Sequence, residues 1–266
     1  QKIIGQHPTL KEVYGSPWRG IVTGFNEAFV INRIQRDALI AEDPCSAELL
    51  KPLLEGKDLK KWHIESRDLW LIFTRRGVDI EKYQAIKKYL LQFKYKLEPK
   101  PSDFQGVWEG RKSGSYEWFN IQDTIGYHEK FESQKLVYTR FMDKPMFWLD
   151  SNENYYLNNA LNFVSGVGEF ELGLLNSCIF WFVIKDLASV MSGGFFQVHG
   201  HVLERCPIPP ANKSQKEQLA KLAKTAQIAA ESRFKLIKQF NHAAMRDFAP
   251  SGKMPAAWSD KLPTFT

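Results

Sequence analysis

The sequence predicts an α+β fold, a mixed sheet with flanking helices followed by a long C-terminal helix. Three observations carry that expectation. Short apolar runs at residues 69–74, 135–140, 147–150, 155–157 and 159–164 have the length and residue types of strands. Residues 80–97 and 214–242 instead carry apolar side chains every three or four positions, the spacing of an amphipathic helix. Between these, residues 172–210 divide into an apolar helix, a Gly-Gly break, a short aromatic segment and an extended exit stiffened by Pro207, Pro209 and Pro210.

In chain order, Thr9 is placed to cap a short helix over residues 9–14, and Gly15, Pro17 and Gly20 then form a turn. Two short strands fit residues 21–31, around a turn at Gly24 and Asn26. Residues 34–41 read as a helix stopped by Asp43-Pro44, and residues 46–54 as a helix capped by Ser46. Gly56 to Asp58 turns the chain, and residues 69–74 form a buried strand that leaves through Arg75, Arg76 and Gly77. The helix over residues 80–97 presents Ile80, Tyr83, Ile86, Leu90, Phe93 and Leu97 on one stripe and is ended by Pro99 and Pro101.

Residues 105–114 are polar and glycine-bearing, an exposed loop of the kind in which recognition residues tend to sit. Residues 117–121 read as a short strand. Residues 147–150 and 155–157 flank a turn at 151–154 and suggest a hairpin. In the helix over residues 172–185, Leu172, Leu175, Ile179, Phe182 and Val183 recur at helical intervals and are expected in the core. In the final helix the stripe runs from Leu219 through Leu222 and Ala226 to Phe240, long enough to pack on its own domain or on another helix.

With 266 residues, 44% hydrophobic and 25% charged, the chain has an ordinary globular composition. No run of 18 apolar residues is present, so no membrane association is expected. Three widely spaced cysteines, Cys45, Cys178 and Cys206, suggest free thiols in a reducing, cytoplasmic setting rather than a disulfide framework or a zinc site. The net charge of +6 favours an anionic partner without proving one. The opening Gln1 to Gly5 lacks a methionine and the pattern of a signal peptide, and is expected to be the start of an excised fragment.

Several segments together resemble a known family. Leu174-Leu175-Asn176-Ser177 ahead of an aromatic helix, the Gly193-Gly194 loop, and Pro207-Ile208-Pro209-Pro210 leading into a long helix are similar to the end of a target-recognition domain. Residues 22–31, 50–62 and 80–90, and Trp118 ahead of Asp123-Thr124, are similar to its earlier motifs. The chain thus resembles the TaqI-like C-terminal specificity domain of fused type IIG restriction-modification DNA methyltransferases, which is related to type I specificity subunits. The resemblance implies a connector over residues 1–20, a mixed-sheet target-recognition domain over 21–210, a spacer or packing helix over 211–245 and a linker over 246–266. It also implies double-stranded DNA as partner, and a methyltransferase domain of the same chain that methylates adenine at N6 with S-adenosylmethionine. Mg²⁺ is implied where a nuclease is also present.

Side-chain type and loop position single out Arg75, Arg76, Arg111, Lys112, Arg140, Lys144, Gln197, His199 and His201 as candidates to reach bases or a groove. A surface salt bridge explains Arg75 or Arg76 equally; Lys57, Lys60 and Lys61 read first as a solvated surface and, alternatively, as phosphate contacts. His199 and His201 alternate along a segment read as extended, which points them the same way.

Catalytic patterns are sparse. The Asn/Asp-Pro-Pro-Tyr/Phe tetrapeptide of adenine methylation does not occur, and Gly166-Val167-Gly168 reads as turn glycines rather than a cofactor loop. Glu55-Gly56-Lys57 imitates only the tail of a nuclease motif. No catalytic residue, cofactor site or metal site is therefore expected in this stretch. Two alternatives stay open: the specificity domain of a phage-exclusion methyltransferase without nuclease, and a protein-interaction module that does not bind DNA.

Overall fold

The structure is a computed structural model and describes residues 7–248. Helix α1 (Leu10–Tyr14) begins at Thr9 in a capping box with Glu12. Strand β1 (Trp18–Arg19), helix α2 (Asn26–Phe29), strand β2 (Val30–Asn32) and helix α3 (Arg33–Glu42) follow. Asn32 and Gln35 form a second capping box at the start of α3, satisfying amides that the helix itself leaves open. A 3₁₀ turn (Pro44–Leu49) runs into β3 (Leu50–Leu54), then come β4 (Leu59–Lys60), β5 (His63–Ile64), β6 (Leu69–Ile72), α4 (Gln84–Leu91) and α5 (Lys94–Leu97). The second half holds β7 (Lys135–Thr139), β8 (Phe141–Met142), β9 (Phe147–Asp150), β10 (Tyr156–Leu157), β11 (Leu161–Ser165), α6 (Glu169–Leu175), α7 (Cys178–Leu187), β12 (Ser189–Val190), β13 (Phe196–Gln197), α8 (Gly200–Glu204) and α9 (Lys213–Phe248).

The central sheet has the order β1-β11-β7-β9, all antiparallel, and is buried on both faces. Side chains alternate across a strand, so Val137, Trp148 and Phe163 line one core while Leu136, Tyr138, Phe147, Leu149 and Val164 line the other. A second, mixed sheet, β10-β3-β6-β2, covers the first core together with α3 and α4. The second core is closed by α1 and α6 to α9.

Strand β9 is an edge, and its outward backbone groups are satisfied by side-chain amides rather than by another strand. Asn176, in the break between α6 and α7, donates to the Phe147 carbonyl at 2.9 Å and accepts the Phe147 amide at 3.3 Å. Two residues on, Gln227 of α9 donates to the Leu149 carbonyl at 2.9 Å and accepts the Leu149 amide at 3.0 Å. Helix α9 comes this close because Gly173 of α6 lies under it. A Cβ there would meet the Leu219 side chain at 2.9 Å. This anchors a helix whose sequence alone leaves its partner open.

The α+β class, the helix at 9–14, the strands near 69–74, 135–140 and 159–164, and the long last helix agree with expectation. Other segments differ. Residues 46–54 are not one helix: the 3₁₀ turn ends at Leu49, and β3 pairs with β6. The stretch 21–31 contains α2 in place of the expected turn. Residues 117–121 form turns that supply carbonyls to Arg111. The helix over 80–97 is split into a 3₁₀ turn, α4 and α5.

Residues 147–157 do not form a hairpin. The Asp150 carboxylate accepts the amides of Glu153, Asn154 and Tyr155, and β10 pairs instead in parallel with β3. The helix over 172–185 breaks at Asn176 and Ser177, with Ser177 capping α7. That break turns Ile179 and Phe182 outward, to 62% and 69% exposure, against the expectation that they lie in the core. The residues expected as a linker lie, beyond Phe248, outside the described residues.

Candidate nucleic-acid interface

The junction after β7 gathers candidates that are distant in sequence. Arg140 donates its backbone amide to the Ala160 carbonyl at 3.1 Å, and its own carbonyl accepts the Val198 amide at 2.8 Å. Strand β13 pairs with β8 so that Gln197 lies opposite Phe141. Arg140, Gln197 and His199 thus share one small region, and the His201 ring stacks on His199 with centroids 5.5 Å apart. The Arg140 guanidinium sits 5.5 Å from the Phe141 centroid and donates to the Asn159 carbonyl at 3.3 Å. Its Nε has no partner among the described residues.

Burial chiefly, then the positive Arg140 and His201 nearby, holds the His199 imidazole below the ordinary histidine range. The two histidines are not on an extended segment as expected. His199 precedes α8 and His201 lies within it, because Gly200 starts a helix there.

The lysine candidates lie on the turns around β4 and β5. A side chain at Gly56 would meet the Ala160 methyl, so the turn that carries the exposed Lys57 packs against the residue whose carbonyl accepts the Arg140 amide. Lys57 is 3.9 Å from Glu55, and Lys60 binds the Lys57 carbonyl at 2.9 Å and lies 3.7 Å from Glu65, so both are partly neutralised within the protein. Lys61 is depressed mainly by burial and next by the like charge of Lys144, which places those two cations together on the β4–β5 and β8–β9 turns.

Arg75, Arg76, Arg111 and Lys112 belong to a different cluster, built around residues 115–123. Arg111 is not an exposed loop residue: it is 4% exposed, and its guanidinium donates to the carbonyls of Leu97, Thr23, Asn120, Glu117 and Trp118. Burial lowers its pKa to about 10. Arg76 is committed in the same way, donating to the carbonyls of Ile121, Asp123 and Gln122. These two arginines hold the loop together, which corrects their placement among free groove-reaching side chains. Arg75 is exposed and bonds only the Arg76 carbonyl among the described residues, and Lys112 is exposed beside Arg111.

Sequence reasoning missed the apolar side chains of the β12–β13 hairpin as surface groups, and the edge-capping amides Asn176 and Gln227. Only the Leu-Leu-Asn-Ser pattern held a signal for Asn176. Among the described residues no three His, Cys, Asp or Glu side chains are grouped to hold a metal ion, and no helix is long and apolar enough to cross a membrane. Cys45 and Cys178 are exposed free thiols, while Cys206 is buried and its thiol is pushed up to about 12.

Comparison with known proteins matches residues 51–208 to the TaqI-like C-terminal specificity domain. No curated protein matches the chain. Its fold is similar to that of the type IIL restriction-modification enzyme MmeI, solved in complex with DNA, at 12% identity and a TM-score of 0.55. The match covers 83% of this chain and 28% of that one. The type IIG restriction endonuclease BpuSI matches at 14% identity and a TM-score of 0.47, over 78% of this chain and 25% of that one. The chain therefore spans only about a quarter of the length of either enzyme.

Proposed function

Because the chain belongs to the TaqI-like C-terminal specificity domain family of restriction-modification enzymes, we propose that it recognises a specific sequence on double-stranded DNA and directs a catalytic domain of the same polypeptide to it. The observation that carries this reading is the convergence of Arg140, Gln197, His199 and His201 on the β7–β8 junction. MmeI, whose fold this chain shares, was solved with DNA bound, which supports a duplex as partner.

The chemistry of this chain is recognition. Exposed cations displace counterions from phosphates, giving affinity that falls steeply with salt and fixes register without reading sequence. Side chains on strand ends and turns then distinguish base pairs by the donors, acceptors and methyl groups in the groove. The reaction proposed for the remainder of the polypeptide is methylation of a flipped adenine at N6, with S-adenosylmethionine as donor, and cleavage where a Mg²⁺ nuclease is fused. A cytoplasmic location follows from that role.

The test is binding of the protein to a random duplex pool at rising salt. The expected result is enrichment of one sequence, with the logarithm of affinity falling linearly with the logarithm of salt concentration. Absence of duplex affinity even at low salt would overturn the reading and favour a protein-interaction module.

A further inference from the structure

The small sheet β12-β13-β8 has one face in the core and one in solvent. Residues opposite one another in antiparallel strands share a face, and successive residues switch faces. Phe196 pairs with Val190 on one side and Met142 on the other. Phe196 meets the Trp181 ring and Met142 is fully buried, so this is the inner face over β13 and β8, while Val190 at the β12 edge stays 73% exposed. The outer face then carries Ser189, Gln197 and Phe141, which lie in register. It also carries Met191 and Phe195, joined where the Met191 amide donates to the Phe195 carbonyl at 2.8 Å. Gly193 and Gly194, at φ +76° and +79°, close the tip in a conformation that favours glycine.

A solvated sheet face is normally polar. This one presents three large apolar side chains, Phe141, Met191 and Phe195, at 38%, 39% and 42% exposure. Arg140, against the Phe141 ring, makes their border cationic, and the polar His199 ring continues the row two residues beyond Gln197, with His201 stacked on it. The face thus combines apolar bulk, one primary amide and flanking positive charge on a narrow two-stranded ribbon.

The major groove admits such a ribbon, a glutamine amide can pair with N6 and N7 of adenine, and apolar side chains pack on the C5 methyl of thymine. We propose that the β12–β13 hairpin enters the major groove and reads A·T pairs, with Gln197 on the adenine edge and Phe195 and Met191 on thymine methyl groups. This rests on the DNA-recognition reading above and adds the class of base pair that this element selects. A protein surface is the competing occupant. The cationic border and the amide at the centre of the face favour the polyanion.

The experiment starts from the duplex that the full-length chain enriches from a random pool. Each thymine is then replaced in turn by deoxyuridine, which removes only the methyl group. Affinity is expected to fall about fourfold at one or more of these positions. Phe195→Ala is expected to weaken binding to the thymine duplex by a similar factor and to lose the sensitivity to deoxyuridine, while Phe195→Leu retains part of both. If sequence enrichment is intact but no thymine responds, the assignment is overturned. It is equally overturned if Phe195→Ala and Met191→Ala leave affinity and methyl sensitivity unchanged, which would hand the face to a protein partner. A pool that yields no enriched sequence at any salt overturns the DNA reading itself, and this inference with it.

Discussion

Lys135 and Asp150 form an ion pair across β7 and β9, Nζ to Oδ2 2.6 Å, with both side chains shut off from solvent. Lys135 also donates to the Phe131 carbonyl at 2.6 Å. Asp150 in turn gathers the amides of Glu153 and Tyr155, each at 2.9 Å, so the pair fixes where the chain goes after β9. Burial lowers the pKa of Lys135, and the facing carboxylate opposes that shift. Removing one partner strands the other charge in the interior, at a cost of about 3–5 kcal/mol. Lys135→Met is expected to lose that much in urea-induced unfolding, and a loss under about 1 kcal/mol would mean the pair contributes no more than a surface one.

Gln227 replaces a missing strand at the β9 edge, so its truncation should undock α9 locally. Gln227→Ala leaves the Leu149 amide and carbonyl without partners. The expected cost is about 1–3 kcal/mol, read by urea unfolding. Hydrogen exchange should speed up at Leu149 while the amides of β7 stay protected.

Much of this architecture was legible because its signals are local. The strands at 69–74 and 135–140 carry apolar residues on both faces, and the cap at Thr9 announces a helix start. Pairing was less legible. That β10 sits beside β3 depends on Asp150 bending the chain, which no periodicity records. Periodicity likewise gives the helical face of Ile179 and Phe182 but not whether anything covers it. Arg111 looked exposed because its neighbours are polar, and a guanidinium enclosed by five carbonyls leaves no trace in spacing. In the candidate site the residue types could be named, whereas their grouping rests on the β8–β13 register between distant segments.

The two arginine environments predict opposite behaviour. Arg140→Ala and Lys57→Ala should each flatten the salt dependence of duplex binding by about 0.9 in log–log slope, the loss of one phosphate contact, with little change in folding. Arg111→Met should leave that slope intact in the protein that remains folded and should cost about 3 kcal/mol or more in stability, because several buried carbonyls lose a charged donor. Slopes from filter binding at four or five salt concentrations, set beside unfolding midpoints, separate the two classes.

The His199 imidazole gives the site a predicted pH response, and its sign follows from its surroundings. Burial, Arg140 and His201 depress its pKa in the free protein, so the ring is neutral at pH 7.5. Below the unfolded value of about 6.5 the unfolded chain takes up the proton more readily, so this group's contribution to folding stability is present above that pH and is lost as pH falls toward the folded pKa. Binding has the opposite sign. A phosphate brought against Arg140 and His199 offsets the positive neighbours and raises the imidazole pKa, so the complex takes up a proton that the free protein lacks. Duplex affinity is therefore expected to tighten from pH 7.5 to 6.0 at constant salt, even as the free protein becomes slightly less stable. His199→Gln should flatten that dependence, and His201→Gln, by removing a like charge, should move it to higher pH. A pH profile unchanged in His199→Gln would place the proton uptake elsewhere and detach this histidine from the bound phosphate.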